Sequence, residues 1–223
     1  MSVRAVSFDL DGTLYDLERT RWRMLLATFP FWRTLRVGRR VREELRGRIF
    51  VDGAALLQQE AQGAAARLGR DLTSTKALLH ELFDTRLVKV LRATGPRAGT
   101  RLLLQRLIDE GLHIAVISDR GSIAEKLGAL GLGDLPWSAL VSADDEGVLK
   151  PAPVLFERCA QRMGVDVSEL LHVGDRDDTD GAGARSAGAA VVILGSQDLS
   201  DISGVLKVAA QLATPRLAER SER

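Results

Sequence analysis

The chain is short of cysteine and of long apolar runs, and each shortage excludes a class of protein. Its 223 residues include one cysteine, Cys159, so no internal disulfide can form and a disulfide-stapled secreted scaffold is excluded. No apolar run approaches the ~20 residues that span a bilayer. Acidic residues begin at Asp9, where a signal peptide would carry its apolar region. We therefore expect a cytoplasmic protein with no membrane partner.

The net charge is also close to zero, although two parts of the chain carry opposite net charges. The 31 Lys and Arg oppose 30 Asp and Glu, which argues against nucleic acid as a partner. Residues 15–95 hold sixteen basic and nine acidic side chains, whereas the remainder holds fifteen and twenty-one. A basic insert within an acidic remainder fits either a solvated helix face or a cationic lid over an anionic ligand.

Apolar periodicity divides the chain into an α/β core and a helical insert. Five short apolar runs predict strands, at 3–8, 113–118, 139–142, 170–174 and 190–194. Helical patterns between the later runs indicate parallel βαβ units in a doubly wound sheet. Within 15–95 apolar residues recur every three or four positions, which predicts helices only. We therefore predict a discontinuous core of 1–14 and 96–213, a helical cap of 15–95 and a disordered tail of 214–223.

Several large or reactive side chains fall on apolar stripes. Trp22, Phe29 and Trp32 are expected in the interior of the helical segment, with a platform for substrate as the alternative. His113 and His172 lie in apolar strand patterns, and Cys159 lies on an apolar helical stripe. These three are expected in the core.

Polar clusters follow four of the predicted strands. In strand order they are Asp9 and Asp11, then Ser118 and Asp119, then Lys150, then Asp175 and Asp180. Because ligands bind outside the carboxyl ends of the strands in an open parallel sheet, we expect these clusters to form one site.

Such a site gathers up to five carboxylates and one obvious cation, Lys150. Two like charges ~4 Å apart repel by roughly 4 kcal/mol at an effective dielectric near 20. A divalent cation would relieve this repulsion, and Mg²⁺ suits one or two carboxylates together with phosphate and water. One carboxylate could then attack phosphorus, while a second, with its pKa raised by crowding, could protonate the leaving oxygen.

Four segments resemble, in order, the four motifs of the haloacid dehalogenase-like (HAD) superfamily. They are DLDGT at 9–13, VISDR at 116–120, KPAP at 150–153 and VGDRDDTD at 173–180. The insert resembles the helical C1-type cap of the subfamily I phosphatases. The resemblance implies a Rossmann-like core and a Mg²⁺-dependent phosphatase that hydrolyses a small phosphorylated metabolite, a phosphomonoester, through an aspartyl-phosphate intermediate. A phosphomutase of the same superfamily and a non-catalytic anion-binding or interaction module remain alternatives.

The resemblance also implies catalytic roles. Asp9 is the nucleophile, Asp11 the general acid and base, and Lys150 stabilises the nucleophile and the phosphate. Ser118 binds the phosphoryl oxygens. The other implied substrate contacts are Gly12, Thr13, Asp119 and Arg120.

Four residues are implied as magnesium ligands: Asp9, Asp11 through its backbone carbonyl, Asp175 and Asp180. Whether Asp178 or Asp180 supports the metal stays open. Asp119 departs from the family pattern, which often has a neutral residue there, and we expect its side chain to turn toward Arg120.

Overall fold

The structure, a computed structural model, describes residues 3–194 and is built on a five-stranded sheet. All strand pairs are parallel, in the order β3-β2-β1-β4-β5. The strands are β1 (Ala5–Phe8), β2 (His113–Ser118), β3 (Trp137–Ser142), β4 (Leu170–Gly174) and β5 (Ala190–Ile193). Phe8 pairs with Val116 of β2 and with Val173 of β4, so the chain leaves β1 at the middle of the carboxyl edge.

Helices cover both faces of this sheet, because successive strand residues point to opposite sides. The helices of the core are α6 (Thr100–Asp109), α7 (Ile123–Ala129), α8 (Ala143–Glu146), α9 (Val154–Met163) and α10 (Ala182–Ala187). On one face Val6 and Phe8 pack with side chains of α6 and α7. On the other, Ala5 packs with side chains of α9 and α10, and Cys159 is fully buried there, as predicted. This arrangement confirms the predicted doubly wound α/β class.

The segment between the first two strands is helical, also as predicted. It contains α1 (Leu17–Ala27), α2 (Trp32–Glu44), α3 (Gly53–Leu68), α4 (Leu72–His80), a π-helical turn (Glu81–Arg86) and α5 (Leu87–Thr94). Side chains of α2, α3 and α4 form a third apolar cluster, which Ala143 and Leu149 of the core join. Leu91 of α5 instead joins the cluster of Val6 and Phe8, so α5 packs as part of the core. The cap limits of 15 and 95 stay a prediction.

Two expectations need comment. His113 is exposed, because it is the first residue of β2 at the amino edge of the sheet, and its Nδ1 lies 3.1 Å from Ser138 Oγ. The prediction that it is a core residue is wrong. The predicted tail of 214–223 lies outside the described residues, as does the stretch 195–213 of the predicted core.

Candidate active site

Three acidic side chains and one lysine meet at the carboxyl edge of the sheet. Asp9 follows β1, Asp175 follows β4, and Asp180 lies in a π-helical turn at Asp177–Gly181. Each contributes a carboxylate oxygen, and these oxygens lie within 4.8 Å of one another. The Lys150 ammonium donates to Asp9 Oδ1 at 2.5 Å and to Asp180 Oδ1 at 2.6 Å. The structure thus brings residues of the first, third and fourth motifs into direct contact.

Two glycines allow the acids to approach so closely. Gly12 has a positive φ of 106°, and a Cβ there would lie 2.2 Å from Asp175 Oδ2. At Gly174 a Cβ would lie 2.4 Å from the Asp180 Cβ. Any side chain at either position would push an acidic residue out of the cluster.

Burial and the Lys150 ammonium act in opposite directions on the pKa values of Asp9 and Asp180. Burial acts to raise the pKa of Asp180, but the Lys150 ammonium and a hydrogen bond with His172 outweigh burial and hold that pKa well below its usual range. Burial acts to lower the pKa of Lys150, and attraction to Asp9 and Asp180 outweighs it, so this pKa is raised. For Asp9, burial raises the pKa by more than Lys150 lowers it.

The donor set fits a divalent cation. Asp9 Oδ2 is buried and has no hydrogen-bond partner among residues 3–194, and a buried carboxylate oxygen without a partner is costly. One ammonium faces three carboxylates whose oxygens are the ligand type that hard divalent cations prefer. Asp178 is exposed and bonds Arg176 at 2.6 Å, so Asp180 is the residue of that pair that reaches the cluster.

Asp11 stands apart from the acidic cluster and has its own partner. The Tyr15 hydroxyl donates to Asp11 Oδ1 at 2.5 Å. Burial, followed by the Asp11 charge, raises the pKa of Tyr15 well above its usual value, so this phenol stays a donor. Sequence reasoning missed Tyr15, although it is the only tyrosine of the chain and lies four residues after Asp11.

Thr13 and Ser118, both predicted phosphate contacts, are fully buried. The Ser118 hydroxyl accepts the backbone N–H of Arg120 at 3.1 Å. The Thr13 hydroxyl has no hydrogen-bond partner in the described part of the chain. Their contact with a phosphoryl group stays a prediction.

Asp119 and Arg120, the other predicted substrate contacts, each pair with other residues of the protein. The expected pairing of Asp119 with Arg120 is not found. Asp119 accepts the Lys150 backbone N–H at 2.9 Å and pairs with Arg46 at 2.7 Å. Arg120 donates to both carboxylate oxygens of Glu60, at 2.7 and 3.1 Å. The partners Arg46 and Glu60 come from the helical segment, which the spacing of the motifs could not reveal.

A buried arginine joins the helical segment to the core. Arg42 of α2 pairs with Glu60 of α3 at 2.5 Å and also with Asp144 of α8 and the backbone carbonyl of Asp119. Asp144 in turn accepts the backbone N–H of Gly121 at 2.7 Å. Sequence reasoning noted only that arginines are dense here and did not foresee that one of them is buried.

His172 is buried as predicted, but it is also part of the polar network under the site. Its Nδ1 lies 2.8 Å from Ser7 Oγ and its Nε2 lies 3.3 Å from Asp180 Oδ1. Burial lowers the pKa of His172, which favours the neutral ring. The ring therefore links β1 and β4 to the acid that Lys150 also binds.

A cavity of about 820 Å³ lies above the acidic cluster. Asp9, Asp11 and Lys150 lie at its base, and side chains of α1 and α2 form much of its wall. Trp22 and Trp32 belong to that wall and are exposed, and Phe29 is exposed outside it. The expectation that these aromatic residues fill the interior of the helical segment is wrong, because smaller side chains such as Val41, Leu56 and Leu79 fill it instead.

The protein is a doubly wound α/β protein with an acidic, lysine-containing site at the carboxyl edge of its sheet, and comparison with known proteins identifies the family. A sequence model of the haloacid dehalogenase-like hydrolases matches residues 3–188. The chain belongs to this family and is a hydrolase, as the motifs predicted.

Two relatives that align with most of the chain are named as phosphatases. A ribulose-1,5-bisphosphate 5-phosphatase of Halopiger xanaduensis is 29% identical over 97% of this chain and 94% of its own. A phosphoglycolate phosphatase of Xanthomonas campestris is 30% identical over 83% of this chain and 80% of its own. Among solved structures, the HAD-hydrolase YfnB of Bacillus subtilis bound to magnesium has the same fold, with a TM-score of 0.67 and 14% identity over 93% of this chain and all of that one. Within residues 3–194, no helix has the length and apolarity that crossing a membrane requires.

Proposed function

We propose that the protein is a Mg²⁺-dependent phosphatase that hydrolyses a small phosphomonoester through an aspartyl-phosphate intermediate. The observation that carries the proposal is the cluster of buried Asp9, half-buried Asp175 and buried Asp180 beside Lys150 in the cavity. The phosphatases among its relatives support a phosphoric monoester hydrolase. The single cysteine supports a cytoplasmic location.

Asp9 is the nucleophile of this proposal. Lys150 orients the Asp9 carboxylate through its Oδ1, and Asp9 lines the cavity, where one carboxylate oxygen attacks the phosphoryl group. As this oxygen bonds to phosphorus, the bond between phosphorus and the ester oxygen breaks. Lys150 offsets negative charge on the nucleophile and the phosphoryl group.

Asp11 moves the proton. It lines the cavity, and the Tyr15 hydrogen bond fixes its carboxyl group. Asp11 protonates the leaving oxygen in the first step. In the second step it accepts a proton from water as that water attacks the aspartyl-phosphate, which releases inorganic phosphate and restores Asp9.

Three side chains would hold the cation: Asp9, Asp175 and Asp180, with the Asp11 backbone carbonyl as the further predicted ligand. When bound, Mg²⁺ supplies positive charge that stabilises ionised Asp9 and the phosphoryl oxygens. Gly12, Thr13 and Ser118 are proposed to bind those oxygens through backbone N–H or hydroxyl groups.

The test is release of inorganic phosphate from 4-nitrophenyl phosphate. We expect turnover with Mg²⁺, none with EDTA, and recovery when Mg²⁺ is added back.

The nucleophile is tested by substitution. Asp9→Asn should abolish turnover, because the amide of asparagine is a poor nucleophile, and the protein should stay folded. Asp178→Asn is the matched control, since this exposed acid lies outside the cluster, and it should keep wild-type turnover. Full activity in EDTA, or turnover by Asp9→Asn near the wild-type level, would contradict the proposal. A phosphomutase would instead transfer the phosphoryl group without releasing phosphate in stoichiometric amounts.

A further inference from the structure

The wall of the active-site cavity exposes large apolar side chains above a polar base. Four of them are exposed and line the cavity: Leu17, Trp22, Leu25 and Trp32. They lie on α1 and α2 and share the cavity with Asp9 and Asp11. Contiguous exposed apolar surface on a folded protein marks a binding site more often than scattered single residues do.

The packing of the helical segment does not explain why these apolar side chains are present on α1 and α2. Helix α1 is held through Met24, which is buried in the same apolar cluster as Leu87 and Leu91 of α5. Trp22 is 72% exposed and Leu25 is 48% exposed, so neither fills the protein interior. The Arg36 guanidinium lies 5.9 Å from the centre of the Trp32 ring, and this contact helps to orient the ring along the cavity wall.

Several arginines in the wall are already neutralised by carboxylates. Arg42 pairs with Glu60 and Asp144, Arg46 pairs with Glu43 and Asp119, and Arg120 pairs with Glu60. These three guanidinium groups are therefore committed within the protein. Arg36 and Arg39 also line the cavity and have no ion pair within residues 3–194, so the wall combines the apolar side chains with two unpaired arginines.

The size of the cavity points the same way. Its volume of about 820 Å³ lies toward the upper end of the ~300–1,000 Å³ typical of clefts that enclose drug-sized molecules. A phosphoryl group placed at Asp9 would occupy only its base. The space beside Trp22, Leu25 and Trp32 is left for the rest of the substrate.

We propose that this wall is the subsite for the leaving group, and that the substrate is a phosphomonoester of a bulky apolar alcohol or phenol. This inference rests on the proposed phosphatase function. The chemistry is unchanged: the phosphorus bond to the ester oxygen breaks as Asp9 attacks, and the released alkoxide or phenoxide takes its proton from Asp11. The apolar part of the leaving group packs on Trp22, Leu25 and Trp32 and displaces water from them.

The first experiment compares n-alkyl phosphates from methyl to hexyl, whose leaving alcohols have similar acidity. We expect kcat/KM to rise by up to about fourfold for each methylene that enters the subsite, and by roughly two orders of magnitude in total. A flat series, or a preference for methyl phosphate, would overturn the proposal.

Adjacent leucines supply the matched variants. Leu25 lines the cavity, whereas Leu26 is 79% exposed and lies outside it. Leu25→Ala should lower kcat/KM for hexyl phosphate by roughly tenfold and leave methyl phosphate unaffected, and Leu26→Ala should change neither. Trp22→Ala and Phe29→Ala form a second pair with the same expectation. Equal effects of the two leucine variants would overturn the proposal, since a general apolar surface or self-association would then explain the preference.

Binding separates failure of this inference from failure of the proposed function. Methylphosphonate and hexylphosphonate bind without being hydrolysed, and calorimetry with Mg²⁺ measures their affinities. If the hexyl compound binds more tightly in wild type and Leu25→Ala removes the difference, the subsite stands even where no ester is hydrolysed. If the two bind equally, or neither binds, the subsite is refuted whatever the hydrolytic activity.

Discussion

At the scale of single residues, Asp180 has more contacts than any other acid of the cluster. Its Oδ1 accepts a hydrogen bond from the Lys150 ammonium at 2.6 Å and lies 3.3 Å from His172 Nε2. Its Oδ2 accepts a hydrogen bond from the Arg176 backbone N–H at 3.2 Å. Such outer contacts fix the orientation of a carboxylate before a cation binds. In the proposed site His172 would act through Asp180, because its ring nitrogens contact Ser7 and Asp180.

We expect His172→Ala to weaken Mg²⁺ binding by 10- to 100-fold. This is the usual effect of removing a residue that hydrogen-bonds to a metal ligand. His172→Gln should recover part of the loss, because its amide can reach toward Asp180. His113→Ala is the control, since that histidine is exposed at the other end of the strands. Calorimetric titration with Mg²⁺ measures the effect without any turnover. Unchanged affinity in His172→Ala would show that this ring only fills space.

Cys159 gives a prediction with a defined pH dependence. Burial, opposed weakly by Arg162, raises the pKa of its thiol to about 12. Only the thiolate reacts with iodoacetamide, so the native protein should resist alkylation at pH 8, and the rate should rise with pH until the pH exceeds this pKa. The protein unfolded in urea should react at the rate of an ordinary cysteine. Rapid alkylation of native protein at pH 8 would contradict the buried position.

At the scale of helices and strands, the pattern of apolar residues predicts where an element lies but not which way a helix faces. Strands β1 and β4 were predicted well, because each is a short apolar run that is buried along its whole length and is followed directly by an acidic residue. The helices at 17–94 were predicted as helices, but their orientation was not. An apolar stripe that includes Trp22 and Leu25 marks one side of a helix without saying whether that side meets the protein interior or a cavity.

The same distinction applies to the candidate site. The positions of Asp9, Lys150 and Asp175 follow from strand ends in a parallel sheet. Whether Asp178 or Asp180 reaches the acidic cluster depends on a π-helical turn, which the residue pattern did not predict. The pairing of Asp119 with Arg46 depends on how the helical segment docks, and that is a tertiary contact between residues 73 positions apart in sequence.

The docking of α2 and α3 on the core depends on Glu60. This side chain is buried and pairs with both Arg42 and Arg120. Glu60→Gln removes the charge that both arginines need, so we expect it to lower the free energy of unfolding by about 3–5 kcal/mol, as breaking other buried pairs does. Glu44→Gln is the control, because its pairs with Arg40 and Arg67 are at the surface, and it should leave the stability unchanged. Urea unfolding of both variants measures the difference, and equal stability would contradict the buried network.

At the scale of the whole molecule, the chain places positive charge in the helical segment and negative charge in the rest. The acidic edge by itself would repel an incoming phosphate ester. Arginines of α2 offset that repulsion to different degrees, because their surroundings differ. Arg36 and Arg39 line the cavity, and neither has an ion pair within residues 3–194. Arg40 is outside the cavity wall and pairs with Glu44 at 3.4 Å.

This asymmetry leads to a prediction about ionic strength. If the cavity arginines attract the substrate, kcat/KM for an anionic ester should fall as salt rises, because the Debye length shrinks from ~30 Å at 0.01 M to ~10 Å at 0.1 M. The double variant Arg36→Gln with Arg39→Gln should flatten that dependence. The matched double variant Arg33→Gln with Arg40→Gln removes the same charge from the same helix outside the cavity wall, and it should keep most of the dependence. If both flatten it equally, the net charge of the helical segment is what matters. If salt has no effect even on wild type, these arginines only solvate the surface of α2.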